Sequence, residues 1–361
     1  MINSTLTRPR AARRDAALDA AIKSNEYLKN LWKLRSGQQL AEVDAVATGS
    51  IFLQSELNKA DTRLHMPLEG HTWFRDIPVV NGGGWVDTET TEFVAVGSSN
   101  IDGTGTGAND IGVLNFSRSQ DVYPTFGWQR SIRIQLIESL KLAQANKSPN
   151  DILDKGVRLD FNKTMDQRVY KGNFGKTGLV NSSQVTATAA PNGTQVSPSP
   201  SWNTKNPIDI VNDFNSMAQA IWQQSGYDLA AVPDRFGIPA SAYPKLLQPM
   251  VINTGAGGTT TVAENILEYI KRNYYGLAIN GKVPEIVPIP NWLETAGSGN
   301  TRRMIGYSFR DDYVNFGLLQ NVQRVGGPLS LQEGAFVATY IANTGIVKFL
   351  APQTAYYYDA I

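Results

Sequence analysis

Residues 61–118 form a long stretch with no helical periodicity and few large apolar side chains. Side chains alternate weakly at Phe93–Val96, and turn signals occur at Asn81–Gly84 and at Gly103–Gly107. This pattern predicts a β-rich excursion with a glycine-rich tip. A loop of this length is unusual inside a compact domain, and its few apolar groups cannot offset the entropy lost on ordering. We therefore expect the excursion to pack on another subunit.

A regular apolar stripe identifies the longest helix. Ser148 is placed as the N-cap, Pro149 at the first helical position and Asp151 at the capping-box position. Apolar residues then recur at every fourth position, at Leu153, Val157, Phe161, Met165 and Val169. The pattern predicts a helix about 33 Å long that ends near Tyr170 and uses the stripe as a packing face.

The rest of the chain mixes helices with short strands, which is typical of the α+β fold class. We predict a helix from Ser131 to Asn146, a Pro/Ser/Thr-rich linker over Thr186–Ser201, and then a new globular unit. This unit opens with a helix at Pro207 and continues with a second helix at Thr261. Short strands are predicted at Pro284–Ile289, Met304–Tyr307, Tyr313–Leu319, Ala335–Ile341, Ile346–Leu350 and Ala355–Tyr358.

The first 35 residues are basic and favour helix formation, and four arginines stand close together at Arg8, Arg10, Arg13 and Arg14. Apolar positions in this arm are too sparse to form a core, so the arm must pack on something else. A neighbour-clasping or DNA-facing arm and a solvated tail both remain open. The chain has no signal-peptide core and no run of about 18 apolar residues, so we expect no membrane contact.

Residue types that carry common catalytic chemistry are scarce. The chain has no cysteine and only two histidines, His65 and His71, which excludes disulfides, thiolate nucleophiles and zinc–thiolate sites. Gly175–Thr177 resembles the end of a phosphate-binding loop, but Tyr170 occupies the position where such a loop requires its first glycine. We therefore assign no catalytic, cofactor-binding or metal-binding residue and expect no enzyme activity.

Charged residues make up 18% of the chain, below the share of about a quarter that is usual. A surface with few charges is easier to bury against a partner, because desolvating a charge is costly. The same composition also fits an ordinary surface rich in Asn, Gly and Thr. The net charge of +1 lacks the basic excess of a dedicated nucleic-acid binder.

The order of these parts, together with several short motifs, resembles the HK97-type major capsid proteins of tailed phages. The motifs are Asp166–Asn181 (DQRVYKGNFGKTGLVN), Ala263–Ile270 (AENILEYI), Pro284–Pro290 (PEIVPIP), Gly345–Tyr358 (GIVKFLAPQTAYYY) and Asp359–Ile361. The resemblance extends from about residue 60 to the end. Neither the basic arm nor the linker at 186–201 matches a motif of the family.

The resemblance implies an HK97-like capsid fold with named parts. These are an N-terminal arm over 1–60, an E-loop over 61–118, a P-domain over 119–205 with a spine helix at 149–171, an A-domain over 206–330, and C-terminal strands over 331–361 that return to the P-domain. In such a shell the A-domain lies near each capsomer axis and the E-loop lies over a neighbouring subunit.

The resemblance also implies a function and its partners. The protein would self-assemble into the hexamers and pentamers of an icosahedral or prolate phage head that encloses double-stranded DNA. Its partners would be further copies of itself, scaffold, portal and decoration or cement proteins, and weakly and non-specifically contacted DNA. It would be located in the virion after assembly in the cytoplasm of the bacterial host. Interface candidates are Arg8, Arg10, Arg13, Arg14, Trp73, Trp85, Gly103, Gly105 and Gly107.

Three other classes remain open. An encapsulin-type nanocompartment shares the fold and would enclose an enzyme cargo in place of a genome. A tail-tube or adhesin protein would be mainly β and would lack the long helix. A metal-dependent hydrolase would have to use His65 and His71, which stand six positions apart in an extended region.

Some capsids of this fold join neighbours by an isopeptide bond from an E-loop lysine to an asparagine. The present sequence has no lysine between Lys59 and Lys141. Arginine cannot replace lysine as the nucleophile, because its guanidinium stays protonated. We therefore predict a shell that is held together by non-covalent contacts.

Overall fold

The structure of the protein is a computed structural model, and it describes residues 70–98, 114–144, 149–253, 261–332 and 334–361. The helices are α1 (Trp73–Asp76), α2 (Leu136–Gln144), α3 (Pro149–Tyr170), α4 (Pro207–Gln224), α5 (Tyr243–Leu246), α6 (Ile266–Arg272) and α7 (Tyr275–Asn280). The strands are β1 (Val79–Asn81), β2 (Thr88–Ser98), β3 (Leu114–Pro124), β4 (Phe126–Gln135), β5 (Thr186–Ala189), β6 (Arg235–Pro239), β7 (Pro249–Asn253), β8 (Thr261–Asn265), β9 (Glu285–Ile289), β10 (Arg303–Tyr307), β11 (Val314–Leu318), β12 (Gln320–Gln332), β13 (Ala335–Thr344), β14 (Val347–Phe349) and β15 (Ala355–Asp359).

A five-stranded sheet with the strand order β5-β15-β10-β6-β9 separates two hydrophobic cores. Its strands alternate between the two cores because successive side chains of a strand point to opposite faces. On β10, Met304 belongs to one core and Ile305 to the other, and on β15 the same holds for Tyr358 and Tyr357. Both faces of this sheet are therefore covered by the chain itself.

Helix α4 covers one face of the sheet. Pro207 stands at the first turn, where its missing N–H costs nothing. The helix buries Ile210, Phe214, Met217 and Ile221 against the sheet. The approach is close, because a Cβ on Gly306 of β10 would lie 2.5 Å from the Met217 sulfur. The predicted helix at Pro207 is confirmed.

Helix α3 packs on the other core and on a second sheet, with the strand order β12-β13-β4. The predicted helix is confirmed, and so is its packing face, since Val157, Phe161, Met165 and Val169 are all buried. Phe161 meets Trp128 of β4 edge-on, with 5.2 Å between the ring centroids. The apolar stripe thus fixes the long helix to the sheet.

Two predicted helix starts were wrong. The helix expected from Ser131 begins at Leu136, and residues 126–135 form β4, which pairs with β13 along its whole length. The segment 131–135 (SIRIQ) alternates with period two and contains β-branched isoleucines, which favours a strand. The helix expected from Thr261 begins at Ile266, because residues 261–265 form β8 against β7.

The expected linker over Thr186–Ser201 is part of the fold. Its first residues form β5, which pairs in parallel with β15 at the edge of the five-stranded sheet. Further on, the Thr194 backbone N–H donates to Asp209 of α4 at 3.0 Å. The composition predicted a loop, but the alternating threonines of β5 supply edge-strand hydrogen bonds.

The residues after 331 contribute strands to three sheets, including β14, which pairs with β11. Strand β13 pairs with β4, whereas β15 lies between β5 and β10. The segment that begins at residue 206 therefore shares its sheet with β5 and β15 and is not a separate globular unit.

Candidate inter-subunit interface

One face of the hairpin of β2 and β3 presents several large apolar side chains to solvent. Its eleven residue pairs run from Thr88–Pro124 to Ser98–Leu114, and directly opposed residues of an antiparallel pair lie on the same face. One face therefore carries Val94, Val96, Leu114, Phe116 and Val122. All five are exposed, Phe116 at 67% and Val96 at 59%. We call this set the hairpin apolar face.

The opposite face of the hairpin is anchored to the body at its base. Glu89 forms an ion pair with Lys348 of β14 at 3.1 Å, and both side chains are largely buried. A side chain on Gly317 or Gly345 would overlap the Glu89 carboxylate and displace it from this position. Asn343 donates to the carbonyl oxygens of residues 84 and 86 at 3.1 and 3.0 Å. The base of the hairpin is therefore held by contacts within the chain.

A second anchor holds the start of β4, directly after the hairpin, to α3 and the turn that follows it. Phe126 stacks on Phe174, with 4.6 Å between the ring centroids. Arg168 of α3 donates to the carbonyl oxygens of Phe126 and Gly127 and to the Thr344 hydroxyl. Burial lowers the pKa of this guanidinium, and the nearby charge of Arg130 lowers it further. The hairpin thus leaves the body at a defined point.

A buried polar cluster ties the segment before the hairpin to the core. The Asp76 carboxylate accepts hydrogen bonds from Arg75, at 2.6 Å, and from the Tyr170 hydroxyl. Arg235 of β6 lies 3.9 Å from the same carboxylate. Burial, with the adjacent charge of Asp76, raises the pKa of Tyr170 far above its ordinary value. These side chains form a buried structural joint.

Asp166 of α3 caps the N-terminus of α1. Its carboxylate accepts the backbone N–H groups of Thr72 and Trp73 at 3.0 and 2.9 Å. Burial raises the pKa of Asp166, and these two hydrogen bonds partly offset the rise. The cap fixes the entry of residues 70–77 into the core.

Helix α2 carries a smaller exposed apolar set, at Leu136, Ile137 and Leu140. It begins directly where β4 ends, at the end of the β12-β13-β4 sheet. The side-chain hydroxyl of Ser139 donates to the Leu136 carbonyl oxygen at 2.8 Å. This surface is a second place where a neighbour could bury apolar area.

The sequence profile of the Major capsid protein family matches residues 101–361 of the chain. This range covers well over half of the sequence. The chain belongs to the major capsid protein family. A search of curated protein sequences gives no match.

Solved capsid structures share the fold. The capsid of Myoviridae Phage XM1 is 13% identical and superposes with a TM-score of 0.64, covering 85% of this chain and 98% of that chain. The capsid of an empty GTA particle is 12% identical with a TM-score of 0.52, covering 88% and 98%. A Microbacterium phage Oxtober96 chain is 11% identical with a TM-score of 0.50, covering 83% and 92%. The capsid protein therefore has the expected α+β, HK97-like fold and is a structural shell protein.

The predicted interface residues of the capsid protein have different placements. Trp73 lies in the chain's own core, where it is 6% exposed and meets Phe316 edge-on. In the single chain the indole packs on α3, where its Nε1 donates to Asn162 at 3.4 Å. Trp85 is exposed at the base of the hairpin. The remaining candidates, Arg8, Arg10, Arg13, Arg14, Gly103, Gly105 and Gly107, lie outside the described residues.

Sequence reasoning missed the hairpin apolar face. It noted the alternation at Phe93–Val96 but did not extend the same period to Leu114, Phe116 and Val122 on the returning strand. Within the predicted excursion of 61–118, Trp73 and Ile77 are buried in the main core, and β3 continues past residue 118 to Pro124. A shared period in two runs on either side of a glycine-rich tip was the available signal.

Within the described ranges, no group of three or more His, Asp or Glu side chains could hold a metal ion. His65 lies outside these ranges, and His71 packs against Phe74 at 5.6 Å between ring centroids. Of the helices that the structure describes, none combines the length and apolar character that a membrane span requires.

Proposed function

We propose that the protein assembles through hexamers and pentamers into the closed head of a tailed phage, around double-stranded DNA, and that it performs no catalysis. The observation that carries this proposal is the hairpin apolar face, which the described part of the chain leaves uncovered. Fully burying a side chain such as Val, Leu or Phe contributes about 1.5–3 kcal/mol. A soluble monomer gains nothing from displaying five of them, whereas a shell subunit buries them against its neighbour.

The parts of the structure support the capsid names in an adjusted form. The hairpin from Thr88 to Pro124 would be the E-loop, and α3 would be the spine helix of a P-domain that includes the β12-β13-β4 sheet. The five-stranded sheet with α4 would form the A-domain, to which β5 and β15 also contribute. Residues 1–60 would form the N-terminal arm.

The charge balance supports weak contact with packaged DNA. Strongly basic surfaces bind phosphates through counterion release, and the chain carries a net charge of only +1. Packaged DNA must move past the inner wall, which this balance permits. Scaffold, portal and cement proteins would be further partners, and assembly would take place in the host cytoplasm before the protein becomes part of the virion.

The rival function is an encapsulin-type nanocompartment, and it is less supported. The structures reported above are phage and GTA capsids, and the family profile is that of major capsid proteins. Recovering DNA of genome length from particles made during infection would support the phage head. Particles that contain an enzyme cargo and no DNA would favour the rival.

Electron microscopy of the purified protein, alone and with a scaffold partner, tests assembly directly. Phe116→Asp should abolish closed particles, because a carboxylate replaces the most exposed member of the hairpin apolar face. Val196→Asp is the matched control, since Val196 is fully exposed on a loop away from the hairpin, and it should assemble like the wild type. A wild-type protein that stays monomeric under all conditions would refute the proposal.

Mature particles should also dissociate fully in hot denaturing detergent. With no cysteine and no lysine between Lys59 and Lys141, we expect one band near 39.5 kDa on a gel. A ladder of covalent oligomers would contradict the non-covalent shell.

A further inference from the structure

Arg168 of α3 differs from the other buried cations in the described part of the chain, because it has no carboxylate partner there. Five lysine or arginine side chains are buried in these residues. Four of them form ion pairs, namely Lys205 with Asp213, Arg235 with Glu285, Arg303 with Asp359 and Lys348 with Glu89. Arg168 is the fifth and is 7% exposed. Since burying a charge is costly unless it is paired, this guanidinium is an unusual group to find in a core.

The hydrogen bonds of Arg168 within the described residues leave its charge uncompensated. Its Nη1 and Nη2 atoms donate to the carbonyl oxygens of Phe126 and Gly127 and to the Thr344 hydroxyl, which are all neutral groups. Its Nε atom is buried and has no hydrogen-bond partner among the described residues. The charge of Arg130 adds to the effect of burial in lowering the pKa of Arg168. An anion beside Nε would supply both an acceptor and a countercharge.

A small cavity lies next to Arg168, beneath the turn that follows α3. The centre of a water-sized sphere has about 10 Å³ of space in it, which is room for one water molecule or one ion of similar size. Asn173 and Thr177 of the turn line the cavity and bring an amide and a hydroxyl group. The residues around the cavity include no acid. Its lining therefore suits a small anion and offers no carboxylate ligand to a cation.

We propose that this cavity binds one monovalent anion of the size of chloride, held by the guanidinium of Arg168 and by hydrogen-bond donors of the turn after α3. A water molecule would also accept a hydrogen bond from Nε, but it would leave the buried charge without a counterion. Sulfate and phosphate, with four oxygens each, are too large for a cavity that holds a single water.

The anion would connect three segments of the folded subunit. Besides α3 and the turn, the cavity is lined by Gly345 and Ile346, which lie between β13 and β14, and by Phe126 at the start of β4. The site therefore lies at the anchor from which the hairpin leaves the body. It concerns the stability of each subunit and does not depend on the proposed shell function.

Unfolding in the presence of chloride tests the proposal in the full-length, unassembled protein. Chloride is exchanged for gluconate at constant ionic strength, and the unfolding equilibrium constant is measured with urea at each concentration. A ligand that binds only the folded state stabilises it by mass action. For one chloride site, the unfolding constant should fall about tenfold for each tenfold rise in chloride above the dissociation constant.

Two variants separate the site from general salt effects. Arg168→Met removes the buried guanidinium and should abolish the dependence on chloride. Arg158→Met is the matched control, because Arg158 is an exposed arginine of the same helix and does not line this cavity; it should keep the dependence of the wild type. Equal chloride dependence in the two variants would overturn the inference.

Chlorine NMR of the folded wild-type protein detects the anion directly and does not require that Arg168→Met folds. We expect protein-dependent broadening of the chloride signal that bromide removes and sulfate does not, because bromide is a single atom and sulfate exceeds the cavity. A wild-type protein that lacks either the chloride-dependent stability or the bromide-sensitive broadening would show that the cavity holds water only, and the inference would then be wrong.

Discussion

The five-stranded sheet and the β2–β3 hairpin are built from similar residues but differ in what covers them. On the sheet, Ile305 and Tyr357 face one core, Met304 faces the other, and all three are fully buried. On the hairpin, one face is anchored at its base through Glu89, while the other leaves Val96 and Phe116 exposed. Both faces of the sheet are covered by the chain itself, whereas one face of the hairpin is left uncovered by the described residues.

A period-two pattern in the sequence therefore predicts a strand but does not predict which surface covers its apolar face. A two-stranded hairpin is marginally stable at best in water, so its apolar face needs a further surface to offset the ordering of its residues. In the five-stranded sheet, the apolar side chains of this alternation stabilise the folded subunit. In the hairpin, we expect the same kind of alternation to stabilise the contact between subunits. Substitutions in the core and in the hairpin can be used to measure the stability of the subunit and the stability of the assembly separately.

The largest effect is expected in the core. Phe316→Ala removes a fully buried ring of β11 and should lower the free energy of unfolding by about 3–5 kcal/mol. Phe116→Ala is the matched hairpin variant and should change it by no more than about 0.5 kcal/mol in the unassembled protein. Urea unfolding of both variants measures the free energy of unfolding. Equal losses in the two variants would show that the hairpin ring is as important to the isolated subunit as the core ring.

The next largest effect is expected at the buried joint. Asp76→Ala leaves Arg235 and Arg75 without their shared carboxylate in a buried site, so we expect a loss of about 3 kcal/mol. Asp312→Ala is the control, because its pair with Arg310 is exposed. Thermal unfolding should separate the two variants clearly. A mild Asp76→Ala phenotype would show that the joint contributes little to holding residues 70–77.

A smaller and more local effect is expected at the hairpin base. Lys348→Met removes the partner of Glu89 and should cost about 1–3 kcal/mol, while hydrogen exchange should rise more in β2 and β3 than in the five-stranded sheet. Lys176→Met, at an exposed site, is the control. Uniform exchange across both regions after Lys348→Met would mean that the anchor does not act on the hairpin.

The smallest change in the free energy of unfolding is expected at Glu294, and it depends on pH. Burial alone would raise the pKa of Glu294, but hydrogen bonds from Ser241 and the charge of Arg302 lower it overall. A lowered folded pKa gives stability that is present above the unfolded value and lost as the pH falls through the folded one. Glu294→Gln should therefore cost less than about 1 kcal/mol at pH 7, and this cost should shrink as the pH falls below the ordinary pKa of a glutamate, in subunits and particles alike. Unfolding curves over a series of acidic pH values measure this, and a cost that grows as the pH falls would contradict it.

The sequence predicted the long helix and the late strands well, because their signals are local. The apolar stripe from Val157 to Val169 and the N-cap signal before Pro149 both favour a helix over a strand or a loop for the residues of α3. The strands at Met304–Tyr307 and Ala355–Tyr358 are short apolar runs bounded by turn residues. The resemblance in motif order then supplied the fold family, which the family profile and the solved capsids confirm.

What the sequence did not predict depends on distant partners. Residues 131–135 of β4 were assigned to a helix despite their period-two alternation, because the strand that pairs with them, β13, lies some 200 residues later. The threonines of β5 were assigned to a linker for the same reason, since β15 provides their hydrogen bonds.

The position of β15 in the five-stranded sheet determines when this sheet can form during translation. Tyr356 pairs with Thr186, which leaves the ribosome roughly 170 residues earlier, and contacts so far apart in sequence form slowly. Since β15 lies between β5 and β10, the five-stranded sheet cannot close until residues 355–359 have been translated. A nascent chain that has not reached β15 therefore lacks an interior strand of its body. We expect such a chain to be unable to join a shell until residues 355–359 have been added.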